Sequence, residues 1–274
     1  TNSYKEKDRY YNSRDKQLIK NPITGKEEEM TRTELHDAII QRFIEGKEKP
    51  SETEKTLIFL ATGGLPGAGK GTVLKEAVRE MIDIPADTNS EHYEKYYVVV
   101  DPDAIKPYLP EYYNDDGTLN GSRVHRESGD VADMIREMAL KEGYSILYDA
   151  SMKDSLQFGW YTQIVNEARF QHYEPKVAFV YDGGEAWYRN SVLRDRALPA
   201  DGYINFMRAY DTFFHLAQKH GIHATMYDNS SRIPRKGSPT KLVVYKDGKA
   251  LYLDRNLYKN FQHFEVFRKL LLQL

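Results

Sequence analysis

Residues Thr56–Thr72 read TLIFLATGGLPGAGKGT. The first six are an apolar run with the length of a buried strand. Glycines then follow at 63, 64, 67 and 69, and a lysine at 70. The spacing Gly64-x-x-x-x-Gly69-Lys70 is that of a phosphate-cradling loop. Its glycines let backbone N–H groups turn inward, and its lysine reaches the outer phosphates. Beyond it, Val73, Leu74, Ala77, Val78, Met81 and Ile82 fall on one helical face. The order is therefore strand, loop, helix, with the helix N-terminus aimed at an anion. Gly64, Leu65, Pro66, Gly67, Ala68, Gly69, Lys70, Gly71 and Thr72 are the expected nucleotide-binding residues. The position after the lysine holds Gly71, where Ser or Thr usually stands. Thr72 is then the nearest hydroxyl for the phosphates and for Mg²⁺.

The same alternation continues along the chain. Apolar runs end at Asp101 (YYVVVD), Asp149 (YSILYD), Tyr181 (KVAFVY) and Asn229 (ATMYDN). Helical patterns stand between them at about 126–142, 154–170, 184–195 and 203–219. Such alternation predicts an α/β fold, a mostly parallel sheet with helices on both faces and right-handed crossovers. The reading gives a core over 51–235. An N-terminal extension of 1–50 carries one helix, 31–46, capped by Thr31 or Thr33 and closed by Gly46. The polar stretch 1–29 is expected to hold little fixed core, with a turn at 21–25. At the other end, 236–274 reads as a hairpin turning at Asp247-Gly248 and an amphipathic closing helix. Helix 126–142 is expected to bury Val131, Met134, Ile135 and Met138.

Composition excludes several classes. The 274 residues carry a net charge of −2, so no overall basic field draws nucleic acid. There is no cysteine, hence no disulfide framework or thiol chemistry. No apolar run approaches the roughly 18 residues of a membrane span, and no secretory leader is read at the start.

In open parallel sheets, ligands sit beyond the carboxyl ends of the strands. Residues there are the site candidates. Asp101 and Asp103 follow one strand in DPD; a carboxylate here suits a base that accepts a hydroxyl proton, and DPDAIK also reads as a helix start. We assign Asp101 as cap or ligand of a metal-bound water, and Asp103 as base. Asp149 ends its strand as a metal-coordinating acid would, or as a second cap. Arg189, Arg194 and Arg196 in WYRNSVLRDRALP offer guanidinium forks for a γ-phosphate, or form a solvated helix face. Asn229 follows the fifth strand and is placed near the nucleotide base by topology.

Taken together, GGLPGAGKGT, VVVDPDAIK and HRESGDVADMIREMALKEGYSILYDASMKD resemble the zeta-toxin family of P-loop kinases over about 55–200. The GKGT form also resembles adenylate kinases, but no Asp-Gly-Phe-Pro-Arg run follows the third strand. The zeta-toxin resemblance implies phosphorylation of a sugar hydroxyl on a nucleotide-linked small molecule, UDP-N-acetylglucosamine first and NAD as an alternative. ATP and GTP are both open as donors, with Mg²⁺. It also implies Lys70, Asp103, Arg194 and Arg196 as catalytic residues. Asp133, Ser151, His125 and Glu127 become acceptor residues. Thr72, Asp101 and Asp149 are the metal-side candidates. An antitoxin or inhibitor protein is the implied partner, and the cytoplasm, the cell's own or a target cell's, the expected setting. From another class, a nucleotide switch without a separate acceptor would carry the same loop.

Overall fold

The computed structural model describes residues 15–50, 56–66, 68–85, 88–153, 159–183, 206–230 and 240–271. Strand β3 (Ile58–Gly64) lies at the centre of a seven-stranded sheet and has all seven residues buried. Uniform burial, without alternation, means that both faces of the sheet are covered. The other strands are β4 (Val98–Val100), β5 (Ile146–Tyr148), β6 (Glu174–Tyr181), β7 (His223–Asp228), β8 (Thr240–Lys246) and β9 (Lys249–Leu253). Their order is β4-β5-β3-β6-β7-β8-β9. The first five in that order run parallel, and β8 and β9 join antiparallel. The hairpin turn is at Asp247 and Gly248, both with positive φ as a two-residue primed turn requires.

Helix α2 (Lys70–Met81) packs on β3 and β6 directly after the loop. The short helix α3 (Pro102–Ile105) follows β4, and α4 (His125–Glu142) packs on β4 and β5. Helix α5 (Trp160–Phe170) precedes β6; α6 (Ala209–Phe214) runs into a π-helical turn at His215–Lys219 before β7. Helix α7 (Arg255–Leu271) follows the hairpin, its Phe261 and Phe264 packed edge-on or tilted against Tyr181 and Tyr210. The helical reading at 184–195 lies outside the described residues.

One expectation is corrected and one refined. Residues 17–30 form a hairpin that the sequence reading had not named, although it adds little core. Strands β1 (Gln17–Lys20) and β2 (Glu27–Met30) pair antiparallel around the turn 21–25, and bury only Ile19 and Met30. Helix α1 (Arg32–Ile44) then starts at a capping box, Thr31 with Glu34, which settles the choice between two threonines. It packs on α4 and on β4, the edge strand. On α4, the buried stripe is Val131, Ala132, Ile135, Ala139 and Leu140, whereas Met134 and Met138 are over a third exposed. The buried face is thus rotated towards Ala132 and Ala139, small residues that permit close approach of the elements packed on α4.

Candidate active site

The loop is shaped by its glycines. Gly64 has φ +139°, and a Cβ there would lie 2.9 Å from the Val180 carbonyl oxygen. Gly69 caps α2 in the left-handed region at φ +79°, and a Cβ would strike the Asn229 side-chain amide. That amide donates to the Ala68 carbonyl at 2.8 Å, while the Asn229 backbone N–H donates to Tyr181. Asn229 thus ties the end of β7 to the loop itself, a role the sequence did not suggest. Gly67 and the Thr72 side chain lie outside the described residues.

Lys70, the first residue of α2, reaches back across the strand ends. Its Nζ donates to the Ala150 carbonyl at 2.8 Å and to Asp149 Oδ1 at 3.3 Å. Thr62, buried in β3, donates to the same Asp149 oxygen at 2.7 Å. The Asp149 backbone N–H is held by the Val100 carbonyl, so β4, β5 and β3 fix the carboxylate from three sides. Thr62 was not singled out by sequence; a threonine facing the core one residue before the glycines was the available signal.

Asp101 and Asp103 divide their tasks. Asp101 Oδ1 accepts the Asp103 backbone N–H at 2.8 Å and caps α3. Burial raises its carboxyl above the usual range; Asp149 and Asp103 add to the rise, and Lys70 opposes it. Asp103, by contrast, is 71% exposed at its side chain. Its Oδ1 accepts from Lys106 at 2.5 Å, an ammonium that is itself buried. So three carboxylates share one end of the sheet with the ammoniums of Lys70 and Lys106, which leaves Asp101 without a cation of its own among the described residues.

That shortage is the test of fit for Mg²⁺. The ion is hard and is usually held by one or two carboxylates together with substrate phosphates. Asp101 and Asp149 each spend Oδ1 on the protein and leave Oδ2 without a hydrogen-bond donor among the described residues. Among those residues, no group of three or more His, Cys, Asp or Glu could hold a metal by itself. The donor set fits a cation brought in with a nucleotide.

The acceptor candidates fall in two places. Ser151 lies beside the loop: its carbonyl accepts from Gly64 N–H, and its hydroxyl accepts the Lys153 N–H at 3.4 Å. Asp133 lies on α4, partly exposed, 3.4 Å from Arg136, whose guanidinium sits over Trp160 and pairs with Glu167 at 2.5 Å. Burial raises the Asp133 carboxyl, against the pull of Arg136. His125 is exposed at the start of α4. Glu127 is engaged inside the protein. Arg32 of α1 donates to both its oxygens, at 2.6 and 2.8 Å, and His36 Nε2 lies 2.7 Å from Oε1. Arg32 also pairs with Glu111 at 2.5 Å. Burial pushes Glu127 up, but the His36 and Arg32 hydrogen bonds outweigh it and hold the carboxyl below its usual range. Arg189, Arg194 and Arg196 lie outside the described residues.

A central strand, a glycine loop closed by a helix N-terminus, a loop lysine and a strand-end acid define the P-loop kinase-like class of α/β proteins. Within that class, the zeta toxin family model matches residues 40–219, and the chain belongs to the zeta toxin family. Solved structures agree in fold. A structure from the PezAT chromosomal toxin–antitoxin system of Streptococcus pneumoniae is 16% identical, with TM-score 0.52 over 89% of this chain and 98% of that one. The AvrRxo1-ORF1:-ORF2 structure with ATP is 14% identical, with TM-score 0.58 over 83% of this chain and 71% of the other. The same complex with sulphate ions gives 15% and 0.57 over the same shares. Comparison with curated proteins returned no match.

Proposed function

We propose that the chain transfers the γ-phosphate of ATP or GTP to a hydroxyl of a nucleotide-linked small molecule, UDP-N-acetylglucosamine first among them. The observation that carries the proposal is the meeting of Lys70, Asp149 and Asp101 at neighbouring strand ends, with the exposed Asp103 two residues beyond Asp101. The loop and Lys70 hold the polyphosphate. Asp103 accepts the acceptor's proton; Lys106 beneath it fixes one oxygen and turns the carboxylate outward. Asp101 and Asp149, with Thr72, would hold Mg²⁺, which when bound would offset charge on the phosphates. Arg194 and Arg196 are proposed for the transferring group. Ser151, Asp133 and His125 are proposed to line the acceptor side. Glu127 we assign there as a residue that shapes the wall through Arg32 and His36. Asn229 acts in nucleotide binding by holding the loop.

A neighbour solved with ATP supports a nucleotide donor. Neighbours from a toxin–antitoxin system and a two-component complex support a protein partner that restrains activity. Among the described residues no helix is long and apolar enough to cross a membrane.

The test is an acceptor screen. The protein and its Lys70→Ala variant are incubated with Mg²⁺, ATP or GTP, and UDP-N-acetylglucosamine, NAD, AMP or a single-stranded oligonucleotide. Mass spectrometry should find one added phosphate on UDP-N-acetylglucosamine, absent with the variant. Phosphorylated NAD instead would keep the mechanism and replace the substrate. Nucleotide hydrolysis with no phosphorylated acceptor would refute the transferase reading in favour of a switch.

A further inference from the structure

His215 and His220 face each other at the π-helical turn between α6 and β7, just before the sheet's last parallel strand. Their Nε2 atoms are 3.1 Å apart and their ring centroids 4.8 Å. In an α-helix, side chains five residues apart point about 140° away from each other. Here the His220 N–H bonds to the His215 carbonyl, the i to i+5 pattern of a π turn, and this wider winding brings both rings to one side. Such turns are rare and recur at functional sites.

The pair is held from both ends. Leu216 and Ala217 are buried in the core, and the Ile222 N–H bonds to the Leu216 carbonyl. The Gln218 side chain donates to Tyr245 on β8, and Arg169 of α5 donates to the His220 carbonyl at 2.9 Å. Both imidazoles are half-buried, with one side towards water. Between two facing Nε2 atoms only one proton can sit. The same spacing suits two adjacent ligands of one cation: at about 2.1 Å per bond and about 100° between bonds, the nitrogens lie about 3.2 Å apart.

We propose that His215 and His220 form a two-imidazole site for a late first-row divalent cation, Cu²⁺, Ni²⁺ or Zn²⁺, with water in the remaining positions. Imidazole nitrogens select these ions over Mg²⁺ and Ca²⁺, and affinity should follow Ni²⁺ below Cu²⁺. A bound ion would clamp the π turn, and with it the start of β7, whose far end carries Asn229 and so the phosphate loop. The site is independent of the transferase reading, because none of its residues touches Lys70 or the strand-end acids.

The test titrates the full chain, freed of metal by a chelator, with Ni²⁺, Cu²⁺ and Mg²⁺ in a calorimeter. The expected result is one saturable site per chain for Ni²⁺ and for Cu²⁺, Cu²⁺ the tighter, with Kd below about 0.1 mM. Mg²⁺ without nucleotide should give no heat there. His215→Gln and His220→Gln should each weaken binding at least about tenfold. Glutamine keeps a hydrogen-bonding end, so both variants should fold; melting curves check this, and either one alone suffices for the comparison. Ni²⁺ should also raise the melting temperature of the native chain and leave both variants unchanged. Absence of a saturable site, or equal affinity in the native chain and a folded variant, would overturn the proposal.

Discussion

Replacing Arg32 by Met tests whether the N-terminal hairpin and α1 are part of the folded core. The Arg32 side chain is 5% exposed and serves two carboxylates, Glu127 on α4 and Glu111 in the loop before it. Breaking a buried ion pair from one side costs about 3–5 kcal/mol, mostly because a charge stays behind in a poor solvent. Two features lower that figure here. Glu127 keeps His36 as a partner, and Glu111 is exposed enough to gain water. The expected loss is therefore about 2–3 kcal/mol, or roughly 5–10 °C in Tm for a chain of this size. Urea denaturation measures it, with the slope compared to ensure that the unfolded state is unchanged. Glu127→Gln and the double variant complete a cycle, in which a coupling of at least about 1 kcal/mol is expected. The penalty should also depend on pH. The Glu127 carboxyl is held below its usual value in the fold, so its contribution is complete above about pH 4.5 and fades as pH falls through the folded-state value. Arg32→Met should therefore cost least in acid. A variant within about 0.5 kcal/mol of the native chain at pH 7, or a penalty constant down to pH 3, would refute the reasoning.

Three further outcomes are expected. Gly69→Ala places a side chain in the left-handed region and against Asn229; it should lose about 1–2 kcal/mol and weaken nucleotide binding, read by melting with and without ATP. Asn229→Ala removes the bond to Ala68 but strains nothing, so it should cost about 1 kcal/mol and raise the nucleotide Kd severalfold, measured by calorimetry. Asp101→Asn keeps the cap acceptor and removes a charge whose burial raises its carboxyl above 3.8; without nucleotide it should stabilise the fold at pH 7, and the gain should fade as pH falls through the folded-state value and be gone below about 3.8. A destabilised Asp101→Asn at neutral pH would show that its charge is satisfied by a partner other than Lys70.

The core of the fold was legible because its signals are local. The period of an apolar run, a glycine spacing and a turn pair such as Asp247-Gly248 are properties of a few adjacent residues. The order of strands and helices, the loop between β3 and α2, and the acids at strand ends therefore followed from the chain alone. The hairpin at 17–30 did not, since each strand buries a single apolar residue and its polar positions look like those of a loop. Tertiary structure also decided which face of α4 is inside, because Met134 and Met138 are apolar yet stay partly exposed while Ala132 and Ala139 are buried. The cap at Asp101 was already read from DPDAIK, but only packing shows what surrounds the two acids, Asp101 turned into the fold and Asp103 held outward by Lys106. The partners of Glu127 lie 91 and 95 residues away in the chain, and the contact of Asn229 with Ala68 spans 161. Sequence carries the capacity for such bonds. Only the packing of α1 on α4, and of β7 beside β6 with its end against the loop, selects the pairs that form.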